Sequence, residues 1–110
     1  IIDKDTIDYK VEDLIISKTH INKDYFTNKY KNMNKYYVKE NTRDFSNGEI
    51  VIGVKPDNCD SDIRHGFTIH SVQGETASHK LYIDMRKMTS LRMWYTAISR
   101  VKRYDQLIFI

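Results

Sequence analysis

The chain closes on "QLIFI", Gln106 to Ile110, and after the glutamine this run is apolar without interruption. A strand with one face in water alternates apolar and polar residues, whereas a strand covered on both faces need not. A run of this kind therefore asks for a sheet with material stacked on each side. "VEDLIIS", Val11 to Ser17, is a second short, largely apolar run and predicts another buried strand. Gly66 to Ile69 and "KLYID", Lys80 to Asp84, predict two more.

Two segments read as helices. Tyr25, Phe26, Tyr30 and Met33 fall at near-helical spacing, which predicts a helix over Asn22 to Met33 behind an Asn cap. Over Ser90 to Lys102, Leu91, Trp94, Ile98 and Val101 form an apolar stripe, and Arg92, Thr96, Arg100 and Arg103 form the polar face opposite. In "KYYVKENTRDFSNGEIVIGVKP", the β-rich runs Tyr36 to Val38 and Glu49 to Val54 flank Asn47-Gly48. That dipeptide suits a turn needing positive φ, so the segment predicts a hairpin closed by Pro56, with Asp57 to Arg64 as polar loop. The order is strand, helix, inserted hairpin, strand, strand, helix, strand. It predicts an α/β fold with a parallel sheet flanked by helices and a small β insertion at about 35–56. Ligands of such sheets sit at the carboxyl ends of strands, where "TIHSVQGET", Thr68 to Thr76, falls.

Composition removes whole classes of function. No apolar run approaches the ~20 residues of a membrane span, and no signal-peptide pattern opens the chain, so no membrane partner is expected. Cys59 is the only cysteine, which excludes an internal disulfide and predicts a reducing, intracellular setting in cytoplasm or nucleus. A net charge of +3 permits a nucleic-acid partner without selecting one. The first residue is Ile1, so the sequence reads as a fragment of a longer polypeptide. Its many Ile, Lys, Tyr and Asn residues fit an AT-rich genome, which bears on origin and admits a viral one.

Several constellations carry little. Cys59, His65, His70 and His79 stand as C-x5-H-x4-H-x8-H, which matches no usual zinc spacing, so no metal site is expected, and His65 and His79 read as surface. Asp84 ends a strand without an evident base beside it. His70 and Ser71 are adjacent, yet no G-x-S-x-G elbow accompanies them. Trp94 lies on the apolar stripe and reads as core, while Tyr36 and Tyr37 of the hairpin are freer to stack on bases.

"TIHSVQGET" and "WYTAISRVKRYDQLIFI" together resemble the last two signature motifs of superfamily-one helicases, in the RecD-like, 5′-to-3′ branch. The matching residues are Thr68, His70, Gln73, Gly74 and Thr76, then Tyr95, Thr96, Ala97, Ile98, Ser99, Arg100 and Val101. The resemblance is specific over Gly66 to Ile110 and looser upstream, where "NTRDFSNGEIVIG" looks like the β insertion, a hairpin or SH3-like element, of those enzymes. It implies the second, C-terminal RecA-like domain of an ATP-driven motor, with an upstream RecA-like domain of the same polypeptide as its partner. In that family the nucleotide lies in the cleft between the domains and single-stranded DNA, or RNA, runs across both. Arg100 matches the arginine finger, whose planar, permanently charged fork suits a phosphate. Gln73, Gly74, Glu75 and Thr76 match nucleotide-binding positions, and Thr68, His70 and Ser71 match positions along the strand.

Ser71 stands where many relatives have lysine, and Thr76 where other branches have glutamate. The sequence contains no GxxxxGK[ST] motif, so ATP and Mg²⁺ are expected to be bound mainly by the upstream domain, and this chain alone is expected to be inactive. The alternative is a non-catalytic nucleic-acid-binding module on the same fold.

Overall fold

A computed structural model describes residues 3–69, 79–86, 88 and 90–110. The four apolar runs form one parallel sheet from β1 (Leu14–Ser17), β5 (Gly66–Thr68), β6 (Leu81–Ile83) and β7 (Leu107–Phe109), in the order β5-β1-β6-β7. Ile15 pairs with Gly66 on one side and with Tyr82 on the other, and Tyr82 pairs onward with Ile108. Alternation then sorts side chains between two layers. Leu14, Ile16, Phe67, Leu81 and Ile83 face a cluster completed by Met93, Trp94, Ala97, Ile98, Leu107 and Phe109. Ile15, Tyr82, Ile108 and Ile110 face the opposite cluster, with Tyr9 and Phe26. The closing run thus has a covered face on each side, as its unbroken apolarity requires, although β7 is an edge strand and only half-buried.

Helix α1 (His20–Lys29) lies on the Tyr82 side through Phe26, and α2 (Leu91–Ile98) on the other. Both differ from expectation in detail. α1 begins at once after β1, with Thr19 Oγ1 accepting from the Asn22 amide at 3.2 Å, so Thr19 is the cap and Asn22 is buried in the first turn. Either residue type can cap, and the one at the extended end of the strand does so. The helix stops at Lys29, before Met33. In α2, Ser90 Oγ accepts from the Met93 amide at 3.2 Å, and the helix ends at Ile98, capped by Ser99, rather than at Lys102. Its core stripe centres on fully buried Ala97, which lets the axis approach the sheet. Leu91 stands roughly 120° round from that residue at helical pitch and is exposed instead.

Between α1 and β5 lies a second sheet of β2 (Lys35–Val38), β3 (Ile50–Ile52) and β4 (Ser61–Ile63), antiparallel, in the order β3-β2-β4. The hairpin across Asn47-Gly48 pairs Tyr36 with Val51, and Gly48 takes φ +93°, the conformation that selects glycine there. β4 replaces the loop expected over Asp57 to Arg64, pairing Ile63 with Tyr36, so the sheet runs on to residue 63. Ser-Asp-Ile has one apolar side chain and gains its place from β2's second edge rather than from a pattern of its own. Tyr37 and Ile50 pack the insertion onto the α2-side cluster, with the Tyr37 and Phe67 rings 6.0 Å apart.

Candidate functional site

β1 leads into α1 on one face and neighbouring β6 leads into α2 on the other, so the carboxyl ends of these two strands flank a topological switch point. Asp84 stands just past β6 and is 1% exposed. Its carboxylate accepts from the Arg86 amide at 3.1 Å, from Arg86 Nε at 3.0 and 3.1 Å, from Arg86 Nη2, and from Ser17 Oγ at 3.5 Å. The hydrogen-bonded carboxylate holds the Arg86 guanidinium above its ordinary pKa. So Asp84 is a neutralised structural carboxylate that ties β6 to β1, rather than a free base.

Beside this crevice a cavity of about 380 Å³ opens between Lys18, just past β1, Ile69, just past β5, and Ser90, Arg92, Met93 and Thr96 at the start of α2. Thr68 closes β5 opposite Ser17, and it is buried and engaged within the fold. From this carboxyl edge α2 runs back along the sheet and delivers Arg100 to the other end. There Gln106 binds the chain down, accepting from the Lys102 and Arg103 amides at 3.0 and 2.9 Å and donating to the His79 carbonyl. Arg100 is half-buried, its amide donates to the Ala97 carbonyl at 3.2 Å, and its Nε is buried with no hydrogen-bond partner among the described residues. A buried guanidinium donor in that state is costly and uncommon. Of the sequence-derived positions, Thr68 and Arg100 are thus placed at opposite ends of α2, whereas His70, Ser71, Gln73, Gly74, Glu75 and Thr76 lie outside the described residues.

His65, expected at the surface, is fully buried. Its Nε2 lies 3.0 Å from the Met33 carbonyl, which can only accept, so Nε2 carries the proton. Nδ1 is left to accept from the Tyr9 hydroxyl at 2.8 Å, and Tyr9 in turn accepts from Lys35 Nζ at 3.2 Å. The Lys35 ammonium also donates to the Asp13 carbonyl. Burial lowers Lys35 to about 8 and His65 to about 4, and pushes the Tyr9 hydroxyl up. With both ring nitrogens engaged, His65 has no lone pair for a metal. Among the described residues no three His, Cys, Asp or Glu side chains gather into a metal-binding group. His79 is exposed, as expected.

The histidine carries a pH dependence. Unfolded, it titrates near 6.5, and folded near 4, so between these values the unfolded state binds more protons. Stability is fully present above pH 6.5 and declines as pH falls toward 4, by about 3 kcal/mol in all. Thermal melts from pH 7 to 4 should show this decline, and His65→Gln should show it with a smaller slope. Parallel slopes for the two proteins would refute the assignment.

Two aromatic expectations divide. Trp94 is half-buried and packs against the core cluster, 5.7 Å from the Phe109 ring. Tyr37 is engaged both by the Phe67 ring and by the Arg64 guanidinium, 4.0 Å from its ring centre, which leaves Tyr36 as the freer of the pair. No helix among the described residues is long and apolar enough to cross a membrane. No protein-family model matches the chain, and no curated protein matches it.

Proposed function

We propose that this chain is the second RecA-like domain of an ATP-dependent nucleic-acid helicase, working inside the cell, with Arg100 as the arginine finger. The observation that carries the reading is the buried Arg100 Nε, a cationic donor with no partner among the described residues. It falls on the arginine of "YTAISRV", where the resemblance to superfamily-one helicases asks for a group that meets phosphate. A phosphate oxygen is the acceptor this fork suits best, being anionic and able to take two parallel N–H donors.

Hydrolysis needs ATP and Mg²⁺, held mainly by an upstream RecA-like domain. What this chain contributes is position and charge. α2 is anchored on the sheet through Ala97 and Trp94, and the turn after it is fixed by Gln106, so Arg100 is presented on a rigid mount. A cation that reaches the phosphates only when two domains close makes turnover depend on closure. Gln73, Gly74, Glu75 and Thr76 complete the nucleotide contacts, and Thr68, His70 and Ser71 belong to the single-strand track, with DNA ahead of RNA.

The test is nucleic-acid-stimulated ATP turnover by the complete polypeptide, with strand binding measured alongside. Stimulated turnover upholds the motor. Strand binding with no turnover under any nucleic acid transfers the chain to the non-catalytic binding module.

A further inference from the structure

The cavity at the carboxyl edge has a chemistry that Arg100 does not use. Its floor is apolar, from buried Ile69 and half-buried Met93. Its rim has two exposed cations, Lys18 and Arg92, brought together from the β1–α1 junction and from α2. Among the described residues neither cation has a hydrogen-bond or carboxylate partner, and no acidic side chain lines the cavity. Of the two hydroxyls, Ser90 Oγ accepts from the Met93 amide, and Thr96 Oγ1 donates to the Arg92 carbonyl at 2.9 Å.

We propose that this cavity seats one nucleotide unit of a single strand, with Lys18 and Arg92 each pairing one of the two phosphodiesters that flank it and Ile69 and Met93 supporting its base. The volume of about 380 Å³ suits a ligand of that size. Two cations balance adjacent, singly charged phosphodiesters, whereas a free triphosphate would bring more charge than they can neutralise. An apolar floor gives a base contact without sequence preference. The proposal rests on the nucleic-acid side of the helicase reading and not on its ATPase side. It also supplies, from two other elements, the cationic character that Ser71 does not bring to the track.

The experiment measures binding of a fluorescein-labelled oligothymidylate, about 12 nucleotides long, to the full chain without ATP across a salt series. Lys18→Ala and Arg92→Ala should each weaken binding several-fold. Each should also make the log–log salt slope shallower by about 0.7, the value of one lost single-strand phosphate contact. Arg92→Lys should keep the slope, and Lys31→Ala, which removes an exposed cation elsewhere, should change neither quantity by as much. The three side chains replaced in these four variants are all exposed, so circular dichroism melts should superimpose. The proposal is overturned if Lys18→Ala and Arg92→Ala behave as Lys31→Ala does. It is overturned equally if free ATP without Mg²⁺ displaces the oligonucleotide from the wild type but not from Arg92→Lys, since the cavity would then be a free-nucleotide site. Strand binding that depends on Lys18 and Arg92 in a protein with no ATP turnover would retain the cavity and discard the motor. Turnover without that dependence would do the reverse.

Discussion

Arg100→Ala in the complete polypeptide is expected to lower nucleic-acid-stimulated ATP turnover by ~10³ or more while strand binding without nucleotide holds. The magnitude corresponds to about 4 kcal/mol of barrier, which a surface arginine could not supply and a finger in a closed cleft can. The substitution is tolerable to the fold because Arg100 lies past the last turn of α2 and its guanidinium Nε has no partner among the described residues to lose. Removing a buried unpaired donor should, if anything, raise the melting temperature slightly. Arg100→Lys separates charge from shape: it keeps the cation and loses the planar fork, so turnover should recover only in part. Turnover within a few-fold of wild type in the alanine variant would remove the finger role from this side chain.

The largest effect on stability should come from Gly66→Ala. Gly66 opens β5 beneath α1, and a Cβ built there falls inside contact distance of the Lys23 carbonyl oxygen and 2.9 Å from the Lys23 Cα and carbonyl carbon. These are backbone atoms of a helix, so no rotamer change relieves the overlap and α1 must move as a body. That motion would lift Phe26 off the sheet and pull Thr27 Oγ1 from the His65 and Gly66 amides, which it accepts at 3.2 Å each. The expected loss is about 3 kcal/mol or more, read as a lowered urea midpoint at unchanged slope. A change under about 1 kcal/mol would mean that α1 can slide on β5 without cost, against the close packing seen there.

What the sequence makes legible here is what neighbours along the chain decide. β1, β6 and β7 are readable because an unbroken apolar run needs two covered faces, and the hairpin because Asn47-Gly48 is matched to its turn. β4 is hidden because its pairing is the property of β2, more than twenty residues away. In α2 the apolar stripe holds at Trp94, Ile98 and Val101 and fails at Leu91, because the sheet turns the helix so that Met93 and Ala97 share the covered side. The polar side chains are harder still. His65 is taken inside by Tyr9, which is 56 residues earlier, and the segment that leads into it, Asp57 to Arg64, is largely polar. Lys35 sits between two positions that look equally surface-bound, and no local signal marks it as 2% exposed. At the candidate site, Arg100 is legible through its motif, whereas the meeting of Lys18 with Arg92 exists only once β1 and α2 share an edge.

The run of polar contacts from Lys35 through Tyr9 and His65 to Met33 crosses every boundary between the inserted sheet, the segment before β1, and β5. Opening any one of these pieces alone would strand a buried ammonium or imidazole without its partner, so partial opening gains little over complete opening. The insertion is therefore no loosely hinged appendage. Amide hydrogens of β2 and β5 should exchange with solvent through one shared event, and a pull applied to the tip of the inserted sheet would be felt at the root of β5 as tension in the same set of bonds.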